Sequence, residues 1–163
     1  MLKKLFGKKE TLVDLVAPIT GKVVKIEDVP DQVFSQKMIG DGIAIEPVEG
    51  VVVAPVDGEI AQIFPTNHAV GIRTQDGLEV LIHIGMETVA MGGEGFTGHV
   101  KQGDKVKAGD TLVTFDLDLV KEKAESTISP IVITNSEAVE SLTKTEANLV
   151  TFGKSVLLQV KMK

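Results

Sequence analysis

A ten-residue unit occurs twice in this chain. APITGKVVKI spans residues 17–26 and APVDGEIAQI spans residues 54–63, with Ala, Pro, Gly and the final Ile in the same places. Each copy is followed by a second matching element, KMIGDGIAI at 37–45 and KVKAGDTLV at 105–113, and both read as a strand that enters a Gly-Asp turn and leaves as a strand. The interval from the leading Ala to the turn Gly is 23 residues in the first copy and 55 in the second, an excess of 32. The expectation is a scaffold of duplicated β-units, with an insertion in the second copy that carries the specialised site.

The rest of the chain agrees with β-structure. β-Branched runs are short and are broken every eight to twelve residues by Gly, Pro or Asp, and glycine numbers 16 of 163 residues. That pattern predicts an all-β sandwich or barrel in one domain, and an apolar content of 43% suffices for its core. GKSVLLQVKMK alternates apolar and polar residues and should close the fold as a strand. Helix is confined to a few short turns. DLVKEKAEST can start at Asp116 or Asp118 as N-cap, and NSEAVESL at Asn135.

Composition removes several functions. Without cysteine there is no disulfide framework, thiol nucleophile or thiolate metal site, which fits a reducing cytoplasm. No apolar run is long enough to span a membrane, and MLKKLFGKKE lacks the apolar stretch and cleavage site of an export signal. Net charge is −6, and no basic stripe with interleaved aromatics offers a nucleic-acid surface. Residues 1–13 read as a flexible basic amphipathic segment. Leu2, Leu5 and Phe6 among the lysines suit weak contact with the inner face of a membrane.

Two of the three histidines stand out. AVGIRTQDGLEVLIHIG reads as a hairpin turning at Asp76-Gly77. With those two residues in the turn, His83 faces Val70, and His68 points to the same side of the sheet as its diagonal neighbour, together with Thr66. A three-residue loop would shift the register and move His68 to the other face. His99, in a polar loop-like setting, reads as a surface residue.

An imidazole pair could bind a metal, act as acid and base, or transfer phosphoryl groups. No HxH or HExxH motif completes a metal site. Phosphoryl transfer suits two imidazoles and a hydroxyl: one ring nitrogen attacks phosphorus and the neighbour stabilises the equatorial oxygens. The attacking ring must carry its proton on the other nitrogen, with Ile84 or Gly85 carbonyls as acceptors.

APITGKVVKIEDVPDQVFSQKMIGDGIAIEP, VVAPVDGEIAQIFPTNHAVGI, EVLIHIGMETVAMGGEGF and KVKAGDTLVTFDLDLVKEKA resemble the glucose-family enzyme IIA component of the phosphoenolpyruvate-dependent sugar phosphotransferase system. The resemblance runs from Asp14 to the C-terminus. It implies an antiparallel β-sandwich of duplicated hybrid motif over 14–163, a single IIA phosphocarrier domain. It implies His83 as the phosphorylated nucleophile, His68 as its neighbour for onward transfer, and Thr66 as the residue that orients His68. Phosphate would arrive from HPr and leave to a cysteine of a IIB domain, with no cofactor required. Val33, Phe34, Met38, Ile39, Phe64 and Val89 align with the family's apolar collar where partners dock, and Asp31 and Glu87 align beside it. Phe34 is expected to be exposed. Leu81 stands where many members carry an aromatic residue ahead of the active histidine, and keeps the apolar bulk.

A monomer is expected, because the apolar patch is reserved for transient partners, including regulatory targets such as transporters or kinases. Starting at Met1, the chain reads as a free-standing cytoplasmic subunit. His68 and His83 could hold zinc together with a partner's carboxylate. The rival readings are a biotin- or lipoyl-type carrier, suggested by GDKVKAGDTL but lacking a lysine at a hairpin tip, a zinc peptidase, which lacks a third ligand, and a regulatory binding protein that keeps the fold without transfer.

Overall fold

Each Ala-Pro repeat turn is hydrogen-bonded to the other. Val16 N–H donates to the Pro55 carbonyl and Val53 N–H to the Pro18 carbonyl, both at 2.9 Å. These reciprocal bonds join two half-motifs in a computed structural model that describes residues 11–163. The first half begins with β1 (Leu12–Val16), β2 (Gly21–Lys25) and β3 (Asp41–Pro47). The second runs uninterrupted through β4 (Val51–Val53), β5 (Gly58–Ile63), β6 (Ala69–Arg73), β7 (Glu79–His83), β8 (Phe96–Gly98), β9 (Lys105–Val106) and β10 (Thr111–Phe115). The first half then resumes with β11 (Ser129–Ile133), β12 (Val139–Lys144), β13 (Leu149–Val150) and β14 (Val156–Met162).

The sheets display this duplication. The large sheet has the order β13-β2-β3-β11-β7-β6-β5-β9, and the two small ones are β1-β14-β12 and β4-β10-β8. Exchanging the halves maps the large sheet onto itself about the β11–β7 pair and each small sheet onto the other. All pairings are antiparallel. The all-β sandwich expected from the sequence is therefore the fold, with two short helices, α1 (Gln32–Ser35) and α2 (Leu117–Lys123).

Three expectations need correction. The counterpart of KVKAGDTLV is not KMIGDGIAI but the segment around Gly153: Gly109 N–H donates to the Ala54 carbonyl at 2.8 Å, and Gly153 N–H donates to the Ala17 carbonyl at 2.9 Å. The histidine hairpin is accordingly no insertion. It is the second half's version of the β3–β11 pair, and the inserted piece is the whole second half. NSEAVESL makes only a 3-10 turn at Ser136–Ala138 before β12 takes over, because Val139 and Leu142 pack on the core and pair with β14. Leu12 and Val13, assigned from sequence to the flexible head, lie in β1 opposite Lys161 and Val160. Residues 1–10 of that head, with its proposed membrane contact, lie outside the described residues.

Among the described residues, no helix is long and apolar enough to cross a membrane. The main core gathers apolar residues of all three sheets, including Leu15, Ile45, Ile60, Ile72, Ile82, Leu112, Ile131 and Leu158. A second cluster covers the other face of the large sheet, where Ile26, Val29 and Phe34 pack on Ala44, Met86 and Val132, with Leu81 beside them. Its cover, residues 26–40, is braced internally by Lys37 to Glu27 at 3.2 Å and tied to β3 by Lys37 to Asp41 at 3.8 Å, where Lys144 also meets Asp41 at 2.7 Å.

At the repeat glycines the neighbouring strand leaves no room for a side chain. A Cβ at Gly21 would overlap the Glu46 carbonyl oxygen, and one at Gly58 would lie 2.5 Å from the Arg73 carbonyl oxygen. At Gly71, in β6, the nearest atom would be 3.9 Å away. Gly21→Ala and Gly58→Ala should each cost about 1–3 kcal/mol through overpacking, whereas Gly71→Ala should stay within about 1 kcal/mol of the native chain. Urea denaturation of the three variants checks this ordering.

Candidate active site

The β6–β7 hairpin that carries His83 has a three-residue loop. Thr74 N–H donates to the Leu78 carbonyl at 2.9 Å, and Gly77, at φ +90°, closes the turn. The loop is locked from outside, since the Asn135 side chain donates to the Gly77 carbonyl at 2.7 Å and accepts from Glu79 N–H at 2.9 Å. His83 consequently faces Ala69 instead of Val70. By alternation alone this register separates the imidazoles. They meet nonetheless, with ring centroids 5.1 Å apart and planes at 80°. His68 lies just before β6, after Asn67 at φ +59°, so its direction is set by the turn and not by the pleat.

His83 projects from the sheet face covered by the second cluster. Its Nδ1–H donates to the Gly85 carbonyl at 2.8 Å. A carbonyl can only accept, so the proton sits on Nδ1 and Nε2 carries the lone pair. Burial pushes the His83 pKa below 6.5, opposed by the Gly85 hydrogen bond and by the negative charges of Asp31 and Glu87. His83 is therefore neutral at pH 7, with a nucleophilic Nε2.

His68 is 3% exposed. Burial, reinforced by the neighbouring His83, pushes its pKa down to about 4. The Thr66 hydroxyl is hydrogen-bonded to His68 Nδ1, which fixes the ring plane. Phe64 meets the His68 ring edge-on at 5.3 Å, and Phe34 lies 5.1 Å from the His83 ring. All four rings and Thr66 are thus gathered at one place.

The other expected site residues separate by exposure. Val33, Met38, Ile39 and Val89 are exposed apolar side chains, with Met38 at 69% and Val89 at 55%. Phe64 is half-buried. Phe34 contradicts its expected exposure: at 4% it belongs to the second cluster, because α1 turns its ring inward onto His83. Asp31 is the N-cap of α1, accepting from Val33 N–H at 2.8 Å. Glu87 is exposed, at φ +60° ahead of the 3-10 turn Thr88–Met91. His99 is exposed, as expected, and is hydrogen-bonded through Nε2 to Thr114 Oγ1 at 2.9 Å.

Thr88 and Ser129 were missed. Both are buried hydroxyls bonded to the Ile84–Gly85 backbone. Ser129 sits on β11, far from His83 in sequence, and no local pattern links them. Among the described residues, no group of three or more His, Cys, Asp or Glu side chains could hold a metal ion.

A depression of about 880 Å3 opens at the β5–β9 edge, lined by Asp57, Glu59, Arg73 and Lys105 among others, and neither His68 nor His83 lines it. The histidines instead lie together outside it, with Phe34 and Phe64 against their rings. Such a site suits a reacting group presented by another macromolecule better than a small substrate needing enclosure.

Comparison with known proteins gives the family. The family model described as phosphoenolpyruvate-dependent sugar phosphotransferase system, EIIA 1, matches residues 13–139. The glucose-specific EIIA component of Bacillus cereus is 56% identical over 165 residues, covering 100% of both chains. That of Halalkalibacterium halodurans is 56% identical over 171 residues, covering 99% of each. The glucose permease IIA of Mycoplasma capricolum superposes with a TM-score of 0.86 at 40% identity, covering 91% of this chain and 96% of its own. With the family model matched over most of its length and relatives matched end to end, the chain belongs to the EIIA 1 family of phosphoenolpyruvate-dependent sugar phosphotransferase components.

Proposed function

We propose that this chain carries a phosphoryl group on His83 Nε2, taking it from the phosphohistidine of HPr and giving it to a cysteine of a glucose-family IIB domain. The supporting observation is the His83 Nδ1–H bond to Gly85, which presents a neutral imidazole with its lone pair on Nε2. In the first step Nε2 bonds to phosphorus as the P–N bond of the donor breaks. In the second, a cysteine thiolate bonds to phosphorus as the His83 P–N bond breaks, and the electron pair returns to Nε2. The Nδ1 proton stays in place throughout. The donor bond is already activated, so neither nucleotide nor magnesium enters.

His68 would serve the charge that develops on the phosphoryl oxygens. A Thr66 hydroxyl donating to Nδ1 leaves the His68 proton on Nε2, where it can be donated to one of those oxygens. The exposed ring of Val33, Met38, Ile39 and Val89 would seat successive partners, and closure over the histidines excludes water that would hydrolyse phosphohistidine. The relatives' names point to glucose as the sugar served.

Intact mass after incubation with phosphoenolpyruvate, enzyme I and HPr tests this directly. One acid-labile phosphoryl group is expected, absent without HPr and absent in His83→Gln. No addition to the native chain would leave a binding protein on the same fold. His68→Gln should still be phosphorylated, but with transfer to a IIB cysteine slowed roughly 100-fold. Equal loss of acceptance in both variants would remove the division of roles.

The depressed His83 pKa sets a pH dependence. Nucleophilic Nε2 is present above that pKa and is lost to protonation as pH falls through it. The midpoint of the acceptance rate should therefore lie below the ordinary histidine value of about 6.5. Asp31→Asn and Glu87→Gln remove charges that hold the pKa up, and should move the midpoint further down. Rapid-quench rates with phospho-HPr across a pH series measure it, and an upward shift in both variants would contradict the assignment.

A further inference from the structure

The carbonyl that fixes the His83 proton belongs to Gly85, at φ +69°. A peptide plane next to glycine is the easiest in a chain to rotate, since no side chain hinders it. Here both adjoining planes are held at each end. In the plane between Ile84 and Gly85, the Ile84 carbonyl accepts from Thr88 Oγ1–H at 2.6 Å, and Gly85 N–H donates to Ser129 Oγ at 3.1 Å. In the next plane, the Gly85 carbonyl accepts from His83 Nδ1–H, and Met86 N–H donates to the Ser126 carbonyl at 2.8 Å.

Thr88 and Ser129 are 1% and 0% exposed, so water does not readily replace either hydroxyl. Ser129 is itself oriented, since its Oγ–H donates to the Thr127 carbonyl at 2.9 Å, leaving a lone pair for Gly85 N–H. The clamp spans two elements, because Thr88 follows β7 while Ser129 opens β11. Neither side chain is close-packed filler for the apolar core: each bonds a backbone atom of the same peptide, one residue from the active imidazole.

We propose that Thr88 and Ser129 are positioning residues that lock the Ile84–Gly85 peptide and thereby keep His83 in its Nδ1–H tautomer. This inference deepens the phosphocarrier reading and rests on it for its consequence. Without the hydroxyls the Ile84–Gly85 peptide is free to turn, and the Gly85 Cα turns with it; the next plane, left with the Met86 bond alone, tilts the Gly85 carbonyl off Nδ1, and the His83 proton distributes over both nitrogens. Nε2 is then a lone-pair nitrogen only part of the time.

Nitrogen NMR of histidine-labelled protein tests the lock without any partner. At a pH above the ordinary histidine value of about 6.5, native His83 should show one protonated Nδ1 and one unprotonated Nε2. Ser129→Ala and the isosteric Thr88→Val should each shift both ring resonances toward the mixed-tautomer average, and should slow acceptance from phospho-HPr about tenfold. Thr88→Ser keeps the hydroxyl and should restore the native spectrum and most of the rate, which a purely packing role would not produce. A single Nδ1–H tautomer retained in Ser129→Ala and Thr88→Val, at native rate, overturns the proposal. A single Nδ1–H tautomer in the native chain and averaged resonances in the two variants, with a native chain that takes no phosphoryl group from phospho-HPr, would sink the carrier reading while sustaining the lock.

Discussion

Two strand-end amides, Val16 and Val53, hold the halves of this protein together through the carbonyls of Pro55 and Pro18. Proline suits those positions because it contributes a carbonyl without a competing N–H. With the turns crossed in this way, Ala17 and Ala54 are each bonded to the closing turn of their own half, at Gly153 and Gly109. Everything else follows the crossing: each half sends one strand set into the shared large sheet and another into its own small sheet. The main core fills between them.

The histidine site is where this symmetry is broken. Exchange of the halves carries β7 onto β11 and β6 onto β3, so Val132 corresponds to His83 and Asp41 to His68. One half supplies imidazoles, and the other supplies an apolar wall and a charged anchor for the covering loop. Val132 lies under the second cluster with Phe34, while Asp41 binds Lys144 and Lys37. Two such sites could not coexist, because corresponding positions flank the same β7–β11 pair on one face of the sheet. A single histidine pair with a dedicated cover is the geometric outcome.

Much of this was legible in the residues. The Ala-Pro-Gly repeat, the Asp-Gly turn, the Asp116 cap and the alternating final strand all act locally, and local patterns report local structure. The histidine pair and its Gly85 acceptor were also within reach, since His68, His83 and Gly85 are joined by one hairpin. The register was not, because Asn135, far along the chain, selects the three-residue loop. Pairing the two Gly-Asp turns failed for a similar reason: the true partner of Gly109 is Gly153, whose surroundings share no sequence with it beyond the glycine. Phe34 was misplaced because a four-residue helix capped by Asp31 carries no periodic signal, yet it decides which side chain turns inward.

The interruption of the first half by the second has a consequence for how the chain is made. Residues 51–115 are contiguous and can pair among themselves as they leave the ribosome. β3 leaves earlier but meets its neighbour β11 only when Ser129–Ile133 has followed, and β1 waits for β14 at the very end. The nascent protein therefore carries open, apolar strand edges through most of its translation, where another chain could pair with them. The same arrangement places both imidazoles, with Thr66, Gly85 and Thr88, in the part that can fold first and Ser129 in the part that folds last, so a prematurely terminated chain keeps the histidine pair while the Gly85 N–H lacks its Ser129 partner.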